Sequence, residues 1–301
     1  MLSLLDACAQ AILVRFQEGC DTLYYVPAPG KRGAIYRDWF VMFLCRPFFR
    51  RLVLHYHTGG LATWLATRAT GPERALTRLL LGRADIAIVL ANALRADASA
   101  LDPRRVVVVA NGLDVPATRR EVDHSGTFRV LFLGACTEEK GLFLAAEAVQ
   151  AANRRLGIPA FSLTAAGSFV ESVSALRFAA LASRAPAELH YAGFMRGRAL
   201  EDLWATTNCL CLPTSYAHEA QPLVLIEALA RDVPVIATTW RAIPETLDQS
   251  GALLVAPGDV AALTEALLQL RAAPRGGGGR RVYQAHFTRE RHLRDLAAAL
   301  A

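Results

Sequence analysis

The chain has no apolar run of the roughly 18–20 residues that a membrane-spanning helix requires, so no span is predicted. Its opening, Met1 to Asp6, lacks the basic start of an export signal and meets an acid early. A cytoplasmic location is therefore expected. The six cysteines (Cys8, Cys20, Cys45, Cys136, Cys209 and Cys211) form neither a paired CxxC nor the dense framework of a small secreted domain. Cys209 and Cys211 invite a metal reading, but Asn208 to Pro213 reads as a buried strand in which cysteine serves as a small hydrophobe. Neither series of strands described below carries G-x-G-x-x-G after its first strand, which argues against a dinucleotide-dependent oxidoreductase. Charge is also scarce. Charged residues make up 20% of the chain, with 33 Lys+Arg against 27 Asp+Glu and a net charge of +6. That excludes a polyelectrolyte arm, and it suits phosphorylated ligands or an anionic surface without deciding between them.

Core material is plentiful. Hydrophobic residues make up 53% of 301 residues, enough for two domains or one large α/β domain. Leu4 to Phe16 has helical apolar spacing and ends at Gly19. Short strands then alternate with helices, with strands near 21–26, 51–56, 85–90 and 105–110. Val115 to Thr127 is polar and interrupted by Pro116, which marks a linker. A second series follows, with strands near 129–133, 161–165, 189–192, 209–212 and 235–237. Alternation of this kind predicts parallel sheets covered by helices, hence two Rossmann-like domains whose ligands bind beyond the carboxyl ends of the strands. Gly276 to Gly279 has no strand before it and reads as a surface connection rather than a phosphate cradle.

Two stretches carry candidate chemistry. In Ser215-Tyr-Ala-His-Glu-Ala-Gln-Pro-Leu-Val-Leu-Ile-Glu227, Pro222 is expected at the first helical position, leaving the amides of Leu223 and Val224 free for an anion such as a diphosphate. Glu227, inside that helix, can accept hydrogen bonds from ribose hydroxyls, and Glu219 stands in the preceding loop. On spacing alone, surface carboxylates explain both positions equally well. In Gly134-Ala-Cys-Thr-Glu-Glu-Lys-Gly141, Gly134 permits close approach of a ligand and Lys140 supplies positive charge near a helix start. A solvated lysine before a turn is the plainer alternative there.

Taken together, the pattern resembles the retaining family-4 glycosyltransferases of the two-domain GT-B fold. Glu219 and Glu227 match the family's E-x7-E motif, and Lys140-Gly141 matches its post-strand lysine. Val108 to Asp114, Ala192-Gly-Phe194, Asp232 to Ala237, Ile243-Pro-Glu245 and Phe287-Thr-Arg-Glu290 agree in type and order. The resemblance implies that Glu227 binds the ribose of a nucleotide sugar and Glu219 the sugar hydroxyls. It also implies that Lys140 and the amides of Leu223 and Val224 hold the leaving diphosphate above Gly134, while Gly193 and Phe194 lie beside the base. His57, ending a first-domain strand, matches a histidine that faces the reaction cleft; a strand-terminating histidine bonded to backbone is its alternative. No D-x-D occurs, which agrees with a site that needs no metal or other cofactor.

Two departures accompany the match. Ala135 stands where the family has an arginine, and the chain opens in a helix where the family has a first strand and a glycine-rich loop. The expected organisation is a shortened acceptor-side domain over 1–122, a donor domain over 123–285, and a terminal helix over 286–301 crossing back to the first. The expected function is transfer of a sugar to a glycan or lipid-linked acceptor with retention; the alternative is a truncated pseudoenzyme that binds a nucleotide or protein partner without turnover. Residues 31–51 interleave arginines with Trp39, Phe40, Phe43, Phe48 and Phe49. They read either as a peripheral membrane contact or as a core helix with snorkelling arginines.

Overall fold

The computed structural model describes residues 2–116, 126–273 and 278–301. The proposed linker falls largely outside them, as do Gly276 and Gly277. The other half of the glycine run is no loose surface connection, since Gly278 caps a helix that begins at the buried Gly279. Two compact units emerge: Met1–Asn111 with Ala217–Gln221 and His292–Ala301, and Gly112–Tyr216 with Pro222–Arg291.

In the first unit, α1 (Leu2–Gln17) precedes β1 (Thr22–Tyr25), α2 (Arg32–Cys45), β2 (Arg51–Tyr56), α3 (Leu61–Thr67) and α4 (Gly71–Leu81). Then come β3 (Ile86–Val89), α5 (Arg95–Ser99) and β4 (Val106–Val108). The start of α4 is set by a capping box, in which Thr70 and Glu73 each satisfy the other's backbone amide. The strands pair in sequence order, all parallel and without a gap. Right-handed crossovers between strands advancing in one direction place every connecting helix on the same face of the sheet.

The second unit contains β5 (Phe128–Leu133), α6 (Leu142–Leu156), β6 (Phe161–Ala166), α7 (Ser172–Arg184), β7 (Leu189–Gly193) and α8 (Arg198–Thr206). It continues with β8 (Cys209–Leu212), α9 (Leu223–Ala230), β9 (Val235–Thr238), α10 (Ile243–Thr246), β10 (Leu253–Val255), α11 (Val260–Ala272) and α12 (Gly279–His286). Its six parallel strands run β10-β9-β8-β5-β6-β7. The chain thus moves one way from β5 and the other way from β8, so helices cover both faces and the order reverses between those two strands. Phe132, Phe161, Leu163, Leu210 and Ile236 are completely buried between the layers. Cys209 and Cys211 are buried in β8 as well. Desolvation pushes the Cys211 thiol up to about 12, as suits an inert core residue.

The last helix, α13 (Arg289–Leu300), has its residues from His292 onward grouped with the first unit. Ala299, with Leu296 and Leu300, packs on Val53, Ile86, Ile88 and Val109. These residues form the sheet face that the singly wound crossovers leave bare.

Among the described residues, no helix is long and apolar enough to cross a membrane.

Candidate functional site

In the first unit, β2 runs into His57-Thr-Gly-Gly60. The Asp97 carboxylate fixes this loop by accepting the amides of Gly60 (3.0 Å to each oxygen) and Ala62 (2.8 Å). Gly60 serves as the N-cap of α3 with φ +100°, a backbone that glycine adopts at low cost. His57 is exposed and makes no hydrogen bond among the described residues. A histidine tied to backbone is therefore not what stands here.

Behind it, His55 is buried, its ring centroid 4.1 Å from that of His57. The Tyr24 hydroxyl bonds its Nδ1, while its Nε2 has no partner. Burial, followed by the nearby His57 and His292, pushes the pKa of His55 down to about 3. Desolvation and His292 lower that of His57 as well. Both imidazoles are neutral at physiological pH. A neutral His57 retains a lone pair for proton transfer.

The stretch Ala217–Gln221 belongs to this unit and is clamped at both ends. Gly59 donates its amide to the His218 carbonyl (3.3 Å), and His218 Nδ1 donates back to the Gly59 carbonyl (3.0 Å). Asn111 donates its amide to Gln221 Oε1 (2.7 Å) and its side chain to the Gln221 carbonyl (3.3 Å). Gly59 follows β2 and Asn111 follows β4, so Glu219 is held across the carboxyl edge of the sheet that also presents His57. Its side chain is buried at 6% exposure, which removes the solvated alternative.

In the second unit, the ends of β5, β6 and β7 carry Gly134, Gly167 and Gly193, all with positive φ (144°, 135° and 75°). A side chain at Gly167 would run into the Gly134 carbonyl. Three adjacent strand ends are thus kept free of side chains, and Phe194 stands exposed just past Gly193. The loop after β5 is tied to the loop after β8. Ser215 donates its amide to the Glu139 carbonyl (2.8 Å), and Thr214 its hydroxyl to the same atom (3.3 Å). A side chain at Gly141 would strike Pro213, so the loops meet too closely for any other residue. This packing brings Lys140 Nζ to 5.0 Å from the centre of the Tyr216 ring. The Trp240 indole holds the Tyr216 carbonyl at 2.9 Å.

Pro222 is the N-cap of α9 rather than its first residue (φ −60°, ψ 120°). Its own backbone stays extended while its carbonyl already receives the Leu225 amide (3.1 Å). The amides of Leu223 and Val224 have no acceptor among the described residues. One turn on, Glu227 is half-buried, and desolvation raises its pKa against the opposing pull of Arg231. Arg231 has little charge to spare, because both its forks bind Glu201 (2.5 and 3.3 Å). The Trp204 indole N–H lies near enough to favour the Glu227 anion but has no hydrogen-bond partner.

Arg198 is paired with Asp202 (3.8 Å). Arg196 is exposed without a partner among the described residues. Phe287 and Arg289 bracket Leu113 with backbone hydrogen bonds of 2.9 and 3.0 Å, joining two of the stretches singled out in the sequence. Asp97, Tyr24, His55, Gly167 and Tyr216 had no role in the sequence reading. Only Gly167, a glycine directly after a strand, left a signal there.

A family model, glycosyl transferases group 1, matches residues 127–272. This segment is a glycosyl transferases group 1 domain. The architecture around it is GT-B, as its solved neighbours show. Sucrose-phosphate synthase from Thermosynechococcus elongatus is similar over 98% of this chain and 78% of its own, with 21% identity and a TM-score of 0.75. HepE of Anabaena in complex with UDP is similar over 97% and 81%, at 16% identity and TM-score 0.75. The pneumococcal O-GlcNAc transferase GtfA in complex with UDP and GlcNAc covers 89% of this chain and 55% of its own, at 16% identity and TM-score 0.66. No curated protein sequence matches the chain. In this glycosyl transferases group 1 domain, the switch between β5 and β8 is where Lys140 and the loop Pro213 to Tyr216 emerge.

Proposed function

We propose that the protein is a retaining glycosyltransferase that takes a sugar from a nucleotide diphosphate and passes it to a glycan or lipid-linked acceptor in the cytoplasm. The observation that carries this reading is the start of α9, where two unbonded amides emerge after the β8 loop that also pins Lys140. Amides and a cation fixed in advance stabilise charge developing on a leaving diphosphate without reorganising at the moment of reaction. They do the work of a metal, and no cofactor enters the proposal. Gly134 gives the phosphates room, and Gly193 and Phe194 border the base. Glu227 binds the ribose, whose hydroxyls supply the hydrogen bonds that a desolvated carboxylate needs. Glu219 orients the sugar and His57 acts near the reacting carbon. As the bond from that carbon to phosphate oxygen stretches, the sugar gains oxocarbenium character and the acceptor hydroxyl attacks from the same face.

The reading of residues 31–51 as a membrane contact draws less support. Arg32 pairs with Glu73, Arg37 with Asp38 and Arg50 with Asp21, and Arg46 is turned onto backbone carbonyls. A core helix with engaged arginines accounts for these contacts.

The rival, a nucleotide-binding protein without turnover, rests on Ala135 in place of an arginine. Calorimetry with UDP, the nucleotide of the HepE and GtfA complexes, tests the donor site. Binding weakened about tenfold or more by Lys140→Ala is expected, the loss of one charge-assisted contact. Sugar release from UDP-glucose and related donors then separates the two: binding with no release from any donor favours the rival, and no binding removes the UDP site proposed here.

A further inference from the structure

The carboxyl edge of the first sheet presents His57. Its amino edge holds a cavity of about 500 Å³ lined by Arg46, Arg78, Leu79, Arg83, Leu101 and Asp102. Arg46 precedes β2, Arg83 precedes β3, and Leu101 and Asp102 precede β4, so in a parallel sheet the cavity lies at the pole away from His57. Arg46 closes the end of α4, donating to the carbonyls of Leu80 (2.5 Å) and Gly82 (2.8 Å). That satisfies the negative end of the helix and leaves the neighbouring charge for something else. Arg78 and Arg83 are exposed, and their side chains have no partner among the described residues.

Backbone strain collects at the same place. Arg83 (φ 56°) and Asp102 (φ 51°) hold the left-handed conformation that side chains adopt only at a cost. The Arg83 amide bonds the Leu101 carbonyl (2.9 Å), which fixes the two strained residues beside each other. Glycine would relax either position; here each carries a charged side chain into the cavity lining. Asp102 brings one negative charge against the two unpartnered guanidiniums. Guanidinium forks match phosphate oxygens in pairs. Leu79, 73% exposed, together with the exposed Ala75 adds an apolar wall.

We propose that this cavity binds a phosphate group attached to an apolar moiety, with Arg78 and Arg83 gripping the phosphate and Leu79 and Ala75 meeting the apolar part. A lipid headgroup and a free phosphate ester share this chemistry. Two arms distinguish them: co-sedimentation with phosphatidylglycerol vesicles against phosphatidylcholine vesicles, and calorimetry with phenyl phosphate in the presence of excess UDP. In at least one arm, Arg78→Ala/Arg83→Ala weakens binding about tenfold or more, while the equally discharged Arg154→Ala/Arg184→Ala leaves it unchanged. Arg83→Gly keeps the left-handed backbone, stays folded, and weakens the same binding. A response only with vesicles assigns a lipid headgroup, and a response only with phenyl phosphate assigns a soluble ester. Absence of binding in both arms overturns the proposal, as does equal weakening by the two double variants.

Discussion

The two sheets of this protein solve the same packing problem in opposite ways. The second unit is wound in both directions from its centre, so its own helices cover both faces and the reversal between β5 and β8 opens a crevice at the strand ends. The first unit is wound in one direction through β1 to β4. It lacks such a reversal among the described strands, and one face waits for α13. A doubly wound sheet generates its ligand crevice from topology alone. A singly wound one must gather its functional groups from elsewhere in the chain, as the first unit does by clamping Ala217–Gln221 onto Gly59 and Asn111.

That contrast can be broken experimentally. The largest effect is expected from Glu219→Ala. Sugar transfer should fall by about 10²–10³, the scale for removing one preorganised polar group, while UDP affinity, which we assign to the second unit, barely changes; wild-type turnover in this variant would remove Glu219 from the site. Next, Ala299→Asp places an unpaired charge under α13. It should lower the stability of the first unit by about 3–5 kcal/mol, read as an early, separate step in urea while the second unit unfolds as before.

The histidine pair provides a pH handle confined to the first unit. His55 has a folded pKa of about 3 against 6.5 when unfolded, so between those values the unfolded chain binds the extra proton. Stability from this source is complete above pH 6.5 and is lost progressively as the pH falls toward 3. His55→Gln should flatten the acid limb of the first unit's stability profile, and an unchanged limb would show that His55 is not buried neutral. The smallest change expected is in the second unit. Gly167→Ala combines an unfavourable φ with a clash against Gly134 and should cost about 1–3 kcal/mol, together with weaker UDP binding, by denaturation and calorimetry.

Much of this arrangement was legible in the sequence. Apolar periodicity located most of the strands and the long helices, because a buried parallel strand is a short apolar run and a covering helix shows a 3.6-residue period. The helices α3, α5 and α10 and the strand β10 are too short to display a period, and they did not emerge; nor did α12, which follows the glycine run directly. The residues proposed for the donor stood directly after strands, where an α/β sheet places ligands. What stayed hidden was tertiary. Nothing local to Asp97 shows that its carboxylate ties down the loop after β2, or that Tyr24 bonds His55. The burial of Glu219 depends on clamps formed with residues far away in the chain. At Pro222 the expectation was wrong by one position, since an extended N-cap and a first helical turn share the same sequence cue.

The path of the chain carries a further lesson, about recombination. The first unit is assembled from three separate pieces of sequence, so no single cut in the gene can lift it out whole. A chimera that takes only the leading segment from a relative would pair a foreign sheet with the host's closing helix and glutamate loop. Grafts that exchange the first unit should therefore move all three pieces at once, whereas the second unit offers the long uninterrupted block 126–216 for exchange.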